Sequence, residues 1–183
     1  MPRLARLGFD DIVLNSCITS VNVNEIVALA GKARDWGVNI CYSAYSPKRT
    51  GDRSYCLTSA EQLRALNEGL DMIEMMRDET NWIVNSSSTL LATRRYFADG
   101  GAPGCRAGLR FLVVRADGRL QPCSMQDRQF PLEKREDMIR QFTAQNECGE
   151  CYVSIRSYLD KSFTQLLGEN VAGFLSLDAH RPR

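Results

Sequence analysis

Apolar runs and helical stripes alternate along the first half of the chain. From Asp11 to Thr19 (DIVLNSCIT) the residues are β-branched and apolar without helical spacing, which suits a strand buried on both faces. Asn24-Glu25 then opens a run with Ile26, Val27, Leu29, Ala30 and Ala33 apolar, which reads as an Asn-capped helix with an acidic first turn. Gly37 would close that helix as a left-handed cap, and Val38 to Tyr45 (VNICYSAY) supplies a second buried-type strand. The pattern repeats after the polar loop Pro47 to Ser54. Ser59 caps a long helix whose buried stripe is Leu63, Leu66, Leu70, Ile73 and Met76. Asn81 to Asn85 reads as a third strand, and Ser88 to Ala98 as a third helix ended by Gly100-Gly101.

Strand then helix, three times over, predicts an α/β fold with a parallel sheet. Two or three such units neither close a barrel nor shield a doubly wound sheet, because parallel strands need cover on both faces. The expectation is half of a larger structure, whose completion would take roughly 100 further residues at ordinary βα-unit length.

The pattern changes after Gly101-Ala102-Pro103-Gly104. Leu109 to Arg115 and Arg119 to Gln121 flank Asp117-Gly118, a dipeptide whose positive φ preference makes a tight hairpin. Cys105 precedes the first strand and Cys123 follows the second, so antiparallel pairing would bring the two thiols close. A helical segment from Glu133 to Thr143 follows, then Asn146-Glu147-Cys148-Gly149-Glu150-Cys151 and a last helix from Ser154 to Leu167. The expected organisation is an α/β region over residues 1–101, a small α+β module over 102–170 and a tail over 171–183.

Composition narrows the function classes. The 183 residues are 44% apolar and 25% charged, which provides for a buried core, and the net charge of +1 gives no general attraction for nucleic acid or an anionic membrane. Apolar stretches such as Ile26 to Ala30 are far shorter than the ~20 residues a bilayer span needs. No apolar run follows Met1 to Arg6, so no export signal is read and the expected compartment is the cytoplasm, where thiols stay reduced. Seven cysteines there call for something other than a disulfide framework. Cys17, Cys41 and Cys56 are isolated, whereas Cys105, Cys123, Cys148 and Cys151 cluster late in the chain.

The CxxC spacing of Cys148 and Cys151 lets two thiolates grip one centre, with Gly149 giving backbone freedom between them. Together with the hairpin pair they make four soft ligands for one site. Tetrahedral zinc and a [4Fe–4S] cluster both fit, and the wide first grip, C-x17-C across a hairpin, suits the larger cluster. The plain alternative is four buried thiols.

At these residues a family resemblance enters. The segment GCRAGLRFLVVRADGRLQPC from Gly104 to Cys123, read as C-x12-G-x4-C through Cys105, Gly118 and Cys123 and followed by CxxC, resembles the auxiliary-cluster domain of radical S-adenosylmethionine enzymes. Its short form, the twitch domain, holds one cluster, and the longer SPASM form carries further cysteines. Here Ser157 stands, after five intervening residues, where the longer form has its next cysteine, so one auxiliary [4Fe–4S] cluster is implied. DIVLNSCITSVNVNEIVALAGKARDWGVNICYSAYSP is similar to a late strand–helix–strand unit of the family's (β/α) partial barrel. That similarity implies that Asn15, at the barrel's C-terminal edge, faces S-adenosylmethionine; the plain reading of such an Asn is a turn former.

The family cleaves S-adenosylmethionine at a CxxxCxxC-bound cluster to make a 5′-deoxyadenosyl radical that abstracts hydrogen from substrate. No CxxxCxxC occurs here, so the chain is expected to be inactive alone and to need a complementing segment. The resemblance further implies an electron donor such as flavodoxin or ferredoxin and a small-molecule or peptide substrate, with electron transfer as the role of a cluster ligated by four thiolates. The competing expectations are a structural zinc module on an α/β fragment, or a non-functional truncated remnant.

Other residues receive structural readings. Cys17 and Cys41 read as small buried core residues, and Met72, Met75 and Met76 as core filler. Arg94, Arg95, Arg106, Arg110, Arg115 and Arg119 read as a solvated face more than as a patch for an anionic substrate. Tyr42, Tyr45 and Arg49 are set down as ordinary packing, with a substrate pocket as the sharper alternative. His180 is assigned no role.

Overall fold

The computed structural model describes residues 2–9, 11–79 and 82–179, so Asn81 and His180 lie outside it. The chain is mixed α/β. After a short helix α1 (Pro2–Arg6), strands β1 (Val13–Ile18) and β2 (Asn39–Ala44) pair in parallel, with Asn15 opposite Cys41 and Cys17 opposite Ser43. Helices α2 (Ile26–Asp35), α3 (Ala60–Glu79) and α4 (Ser87–Asp99) complete the first region.

The third expected strand is reduced to one parallel bridge, Ile40 to Ile83. Ile40 N–H donates to the Trp82 carbonyl at 2.8 Å and Val84 N–H to the Ile40 carbonyl at 2.9 Å. The ladder then ends on a side chain. The Asn85 carboxamide accepts from Tyr42 N–H at 2.7 Å and donates to the Tyr42 carbonyl at 3.0 Å, taking both groups that a longer strand would have used.

Local signals explain most helix ends. Ser59 and Gln62 form a reciprocal capping box at the start of α3, with Gln62 N–H on Ser59 Oγ at 3.1 Å and Ser59 N–H on Gln62 Oε1 at 3.2 Å. Gly37 and Gly100 end α2 and α4 in the left-handed region, at φ of +68° and +70°. The cap expected from Asn24 is not made. A turn of 3-10 helix (Val23–Glu25) precedes α2, and the working amide is that of Asn22, which holds Thr19 N–H at 2.8 Å and the Cys17 carbonyl at 2.9 Å.

One continuous core unites Ile18, Ile40 and Tyr42 from the strands with Ile26, Ala30, Leu66, Leu70, Ile73 and Leu90 from the helices. The helices cover one face of the sheet only. On the opposite face Val13, Asn15 and Cys17 are exposed and Cys41 and Ser43 half-buried. The expectation that Cys17 and Cys41 are core residues is therefore corrected, because strand alternation turns both to the uncovered face. Met72 and Met75 are likewise exposed, since they lie off the stripe of α3 that Leu66, Leu70 and Ile73 bury; Met76 packs against the core.

The second region is built from short pieces. β3 (Val113–Val114) and β4 (Leu120–Gln121) form an antiparallel ladder of two residue pairs. Gly118 carries the positive φ, +78°, and its N–H donates to the Arg115 carbonyl at 2.9 Å. Asp117 stays at negative φ, so the connection is an ordinary turn followed by a left-handed glycine. The first strand starts later than expected because Arg106 to Arg110 form a turn around Gly108, at φ +83°. α5 (Arg135–Gln141) follows, flanked by 3-10 turns.

The last predicted helix is two, α6 (Ser154–Leu159) and α7 (Phe163–Ala179). Ser162 and Gln165 make a second reciprocal cap, Ser162 N–H on Gln165 Oε1 at 2.9 Å and Gln165 N–H on Ser162 Oγ at 3.2 Å, which starts a new helix there. α7 continues past residue 170, where a tail was expected to begin. Among the described residues no helix is long and apolar enough to cross a membrane.

Candidate metal centre

Cys105, Cys123, Cys148 and Cys151 all line one narrow cavity. Ala107, Phe111, Val113, Met125, Phe142, Val153 and Ile155 give it apolar walls, and Lys48, Asn146 and Arg156 bring polar groups to it. Cys105 and Cys151 are buried, and Cys123 and Cys148 half-buried. Cys105 packs in one cluster with Phe111, Cys123, Phe142 and Cys148. The antiparallel ladder does not reach Cys105 and Cys123; their segments are tied instead by Gly108 N–H, which donates to the Pro122 carbonyl at 3.1 Å. Among the described residues, no three His, Cys, Asp or Glu side chains stand close enough together to grip a single metal ion.

The CxxC turn is held from several sides. Asn146 Oδ1 accepts from Cys148 N–H at 3.1 Å while its Nδ2 donates to the Cys105 carbonyl at 3.0 Å, so one amide ties the two thiol segments together. Ala102 N–H donates to the Gly149 carbonyl at 2.6 Å. A Cβ on Gly149 would sit 3.3 Å from the Pro103 backbone, so glycine is needed there for close approach; its φ is not positive, which corrects the expected role in backbone freedom. The carboxyl end of β2 supplies a further anchor. Ser46 Oγ donates to the Glu150 carbonyl at 2.9 Å, and the Tyr96 hydroxyl lies 3.0 and 3.2 Å from the carbonyls of Tyr45 and Glu150.

Two cations attend the thiols. Arg156 is 1% exposed. It donates to Asp160 Oδ2 at 2.7 Å, to the Ala102 carbonyl at 2.8 Å and to the Cys151 carbonyl, fastening the knuckle to the linker that precedes Cys105. Lys48, from the loop after β2, pairs with Glu150 at 2.9 Å and lines the same pocket as Cys148. The Glu150 hydrogen bond leads in raising the Lys48 pKa above its usual value, burial opposes it, and Cys148 adds to the rise.

Burial pushes the Cys123 and Cys151 thiols up, and the neighbouring cysteines push in the same direction. The Met125 N–H and Lys48 oppose this at Cys123, and Arg156 opposes it at Cys151. Without a cation these thiols stay protonated near neutrality, so metal loading must displace protons.

The remaining sequence candidates are dispersed. Asn15 lies mid-strand in β1, exposed on the uncovered face, and accepts from Ser43 Oγ at 3.0 Å. Tyr42 is packing, its hydroxyl donating to the Ile26 carbonyl at 2.7 Å in the core. Tyr45 and Cys56 line a cleft with Arg53, Tyr96, Phe97 and Glu150, beside the CxxC turn. Arg49 is exposed, Arg94 pairs with Asp71 at 2.6 Å, and Arg110 bonds the carbonyls of Leu159 and Lys161. Asn146, Arg156 and Lys48 were not among the candidates. Only Asn146 left a local signal, an Asx turn leading into the CxxC. No family model, curated protein or solved structure matches the chain significantly.

Proposed function

We propose that this chain is the auxiliary iron–sulfur part of a radical S-adenosylmethionine enzyme. In this reading the α/β region is the closing portion of a partial barrel, and the following module is a twitch domain holding one [4Fe–4S] cluster through Cys105, Cys123, Cys148 and Cys151. The single observation that carries the reading is that all four cysteines, distant in sequence, line one apolar cavity. Their donor set fits the group: four soft sulfurs, no competing carboxylate among the lining residues, and two cations to offset thiolate charge.

Such a cluster would supply one-electron transfer to a reaction elsewhere in the complete enzyme. The protein's own part is to bring four thiols to one pocket, give up their protons on loading, and exclude water with Phe111 and Phe142. Arg156 and Asn146 hold the backbone of Cys151, Cys105 and Cys148. Cleavage of S-adenosylmethionine is assigned to a complementing segment that bears CxxxCxxC, and Asn15 on the uncovered sheet face is the residue offered to that ligand.

Anaerobic reconstitution with iron and sulfide tests the reading. The expected product is brown, with about four irons per chain and broad absorption near ~400 nm. A colourless protein that takes one zinc tightly would assign the site to a structural zinc module instead. A chain that takes neither metal refutes the site.

A further inference from the structure

Lys48 belongs to the α/β region, far from the four cysteines in sequence, yet it is part of their cavity wall. Its side chain is 15% exposed, and it pairs with Glu150, the residue between Gly149 and Cys151, at 2.9 Å. Cys148 lines the same cavity, and it adds to the rise in the Lys48 pKa. The backbone around it is fixed, because Lys48 N–H donates to Ser46 Oγ at 3.3 Å while that hydroxyl donates to the Glu150 carbonyl. The loop after β2 therefore grips the CxxC turn at two points, both on Glu150, and brings one positive charge to the cavity that Cys148 lines.

We propose that Lys48 is a positioning residue of the thiol centre: its fixed charge offsets the negative charge of the loaded site and so sets metal affinity and, for an iron–sulfur centre, the reduction potential. The inference rests on the reading of the four cysteines as one inorganic site. The charge is permanent near neutrality, so no titration is involved. Of the other charged groups at the cavity, Arg156 is committed to Asp160 and to three backbone carbonyls, while Glu150 partly cancels Lys48. A positive charge near a redox centre favours the reduced, more negative form. Its removal should disfavour reduction.

The test compares wild type with Lys48→Gln, Lys48→Arg and Glu150→Gln after reconstitution, using dithionite titration followed by visible absorption and electron paramagnetic resonance. Lys48→Gln should shift the reduction equilibrium about fivefold toward the oxidised form, ~40 mV for one electron. Lys48→Arg, which keeps the charge, should restore most of that shift. Glu150→Gln leaves the ammonium uncancelled and should move the midpoint the opposite way, so the proposal stays testable if Lys48→Gln fails to fold. Should the wild-type site take zinc, the same variants are read by chelator competition, with zinc held about fivefold more weakly in Lys48→Gln. A wild-type chain that binds neither metal overturns the reading of the site and this inference with it. A wild type that binds, with potential or affinity unchanged in Lys48→Gln and Glu150→Gln, overturns this inference alone.

Discussion

The two regions are held together by different physics. From Val13 to Asp99 a single hydrophobic core runs through two strands and three helices. From Ala102 to Leu159 there are two clusters of only three buried residues each, one of them containing Cys105, and a ladder of two residue pairs. What the second region lacks in apolar burial it replaces with side-chain bonds to backbone, from Asn146, Arg156, Arg110 and Thr143. A region built that way resembles small domains that depend on a metal or a disulfide for stability. The core-bearing region should fold without one.

The sharpest way to break this contrast is to withhold the metal. Loaded protein should show slow amide exchange in both regions, and apo protein should lose protection from Cys105 to Cys151 while the helices packed on β1 and β2 keep theirs. Equal loss in both would erase the distinction. Next in size, Leu70→Ala removes a fully buried side chain and should cost about 2–5 kcal/mol in urea unfolding of the first region, with metal affinity of the remaining folded protein unchanged.

Arg156→Met tests the other side. It leaves Asp160 without its partner and three carbonyls without a donor, at about 3 kcal/mol, and the exchange rates that rise should be those around Ala102, Pro103 and Cys151. The smallest effect concerns the seam. Burial alone would raise the Glu169 carboxyl, but hydrogen bonds from Lys161 and Ser88 and the Lys161 charge outweigh it and hold it below the ordinary glutamate value. A depressed pKa contributes stability above the unfolded-state value and loses it as pH falls through the folded one. The melting-temperature gap between wild type and Glu169→Gln should therefore be present at neutral pH, about 0.5 kcal/mol given partial exposure, and close as the solution is acidified below the glutamate range. A gap that widens on acidification would contradict the pairing.

Legibility in the sequence follows the same division. Helical stripes, Ser59 and Gly37 are local signals, so α2, α3, the start of α3 and the end of α2 were readable, as were the two paired strands; the start of α2 was not. The faces of those strands were not, because a run apolar on both sides says nothing about which side is covered; Cys17 and Cys41 were misplaced for that reason. The Asp117-Gly118 signal located the hairpin, while the turn around Gly108 shortened it through tertiary packing, with Thr143 donating to the Ala107 carbonyl at 2.9 Å. Cysteine spacing exposed the candidate site. Its supporting cations did not show, since Lys48 and Arg156 act across long sequence separations and resemble any surface cation until the chain is folded.

Asn85 decides more than where a ladder stops. By spending one carboxamide on Tyr42, it frees the main chain to leave the sheet at once, and Ser86 caps α4 in the next position, accepting from Thr89 N–H at 3.3 Å. Had the strand run two residues longer, the helix would begin a half-turn later, and Tyr96 would rotate away from the Glu150 carbonyl. One of the anchors of the sulfur-bearing knuckle, the Tyr96 hydroxyl, thus depends on an amide buried in the opposite half of the molecule.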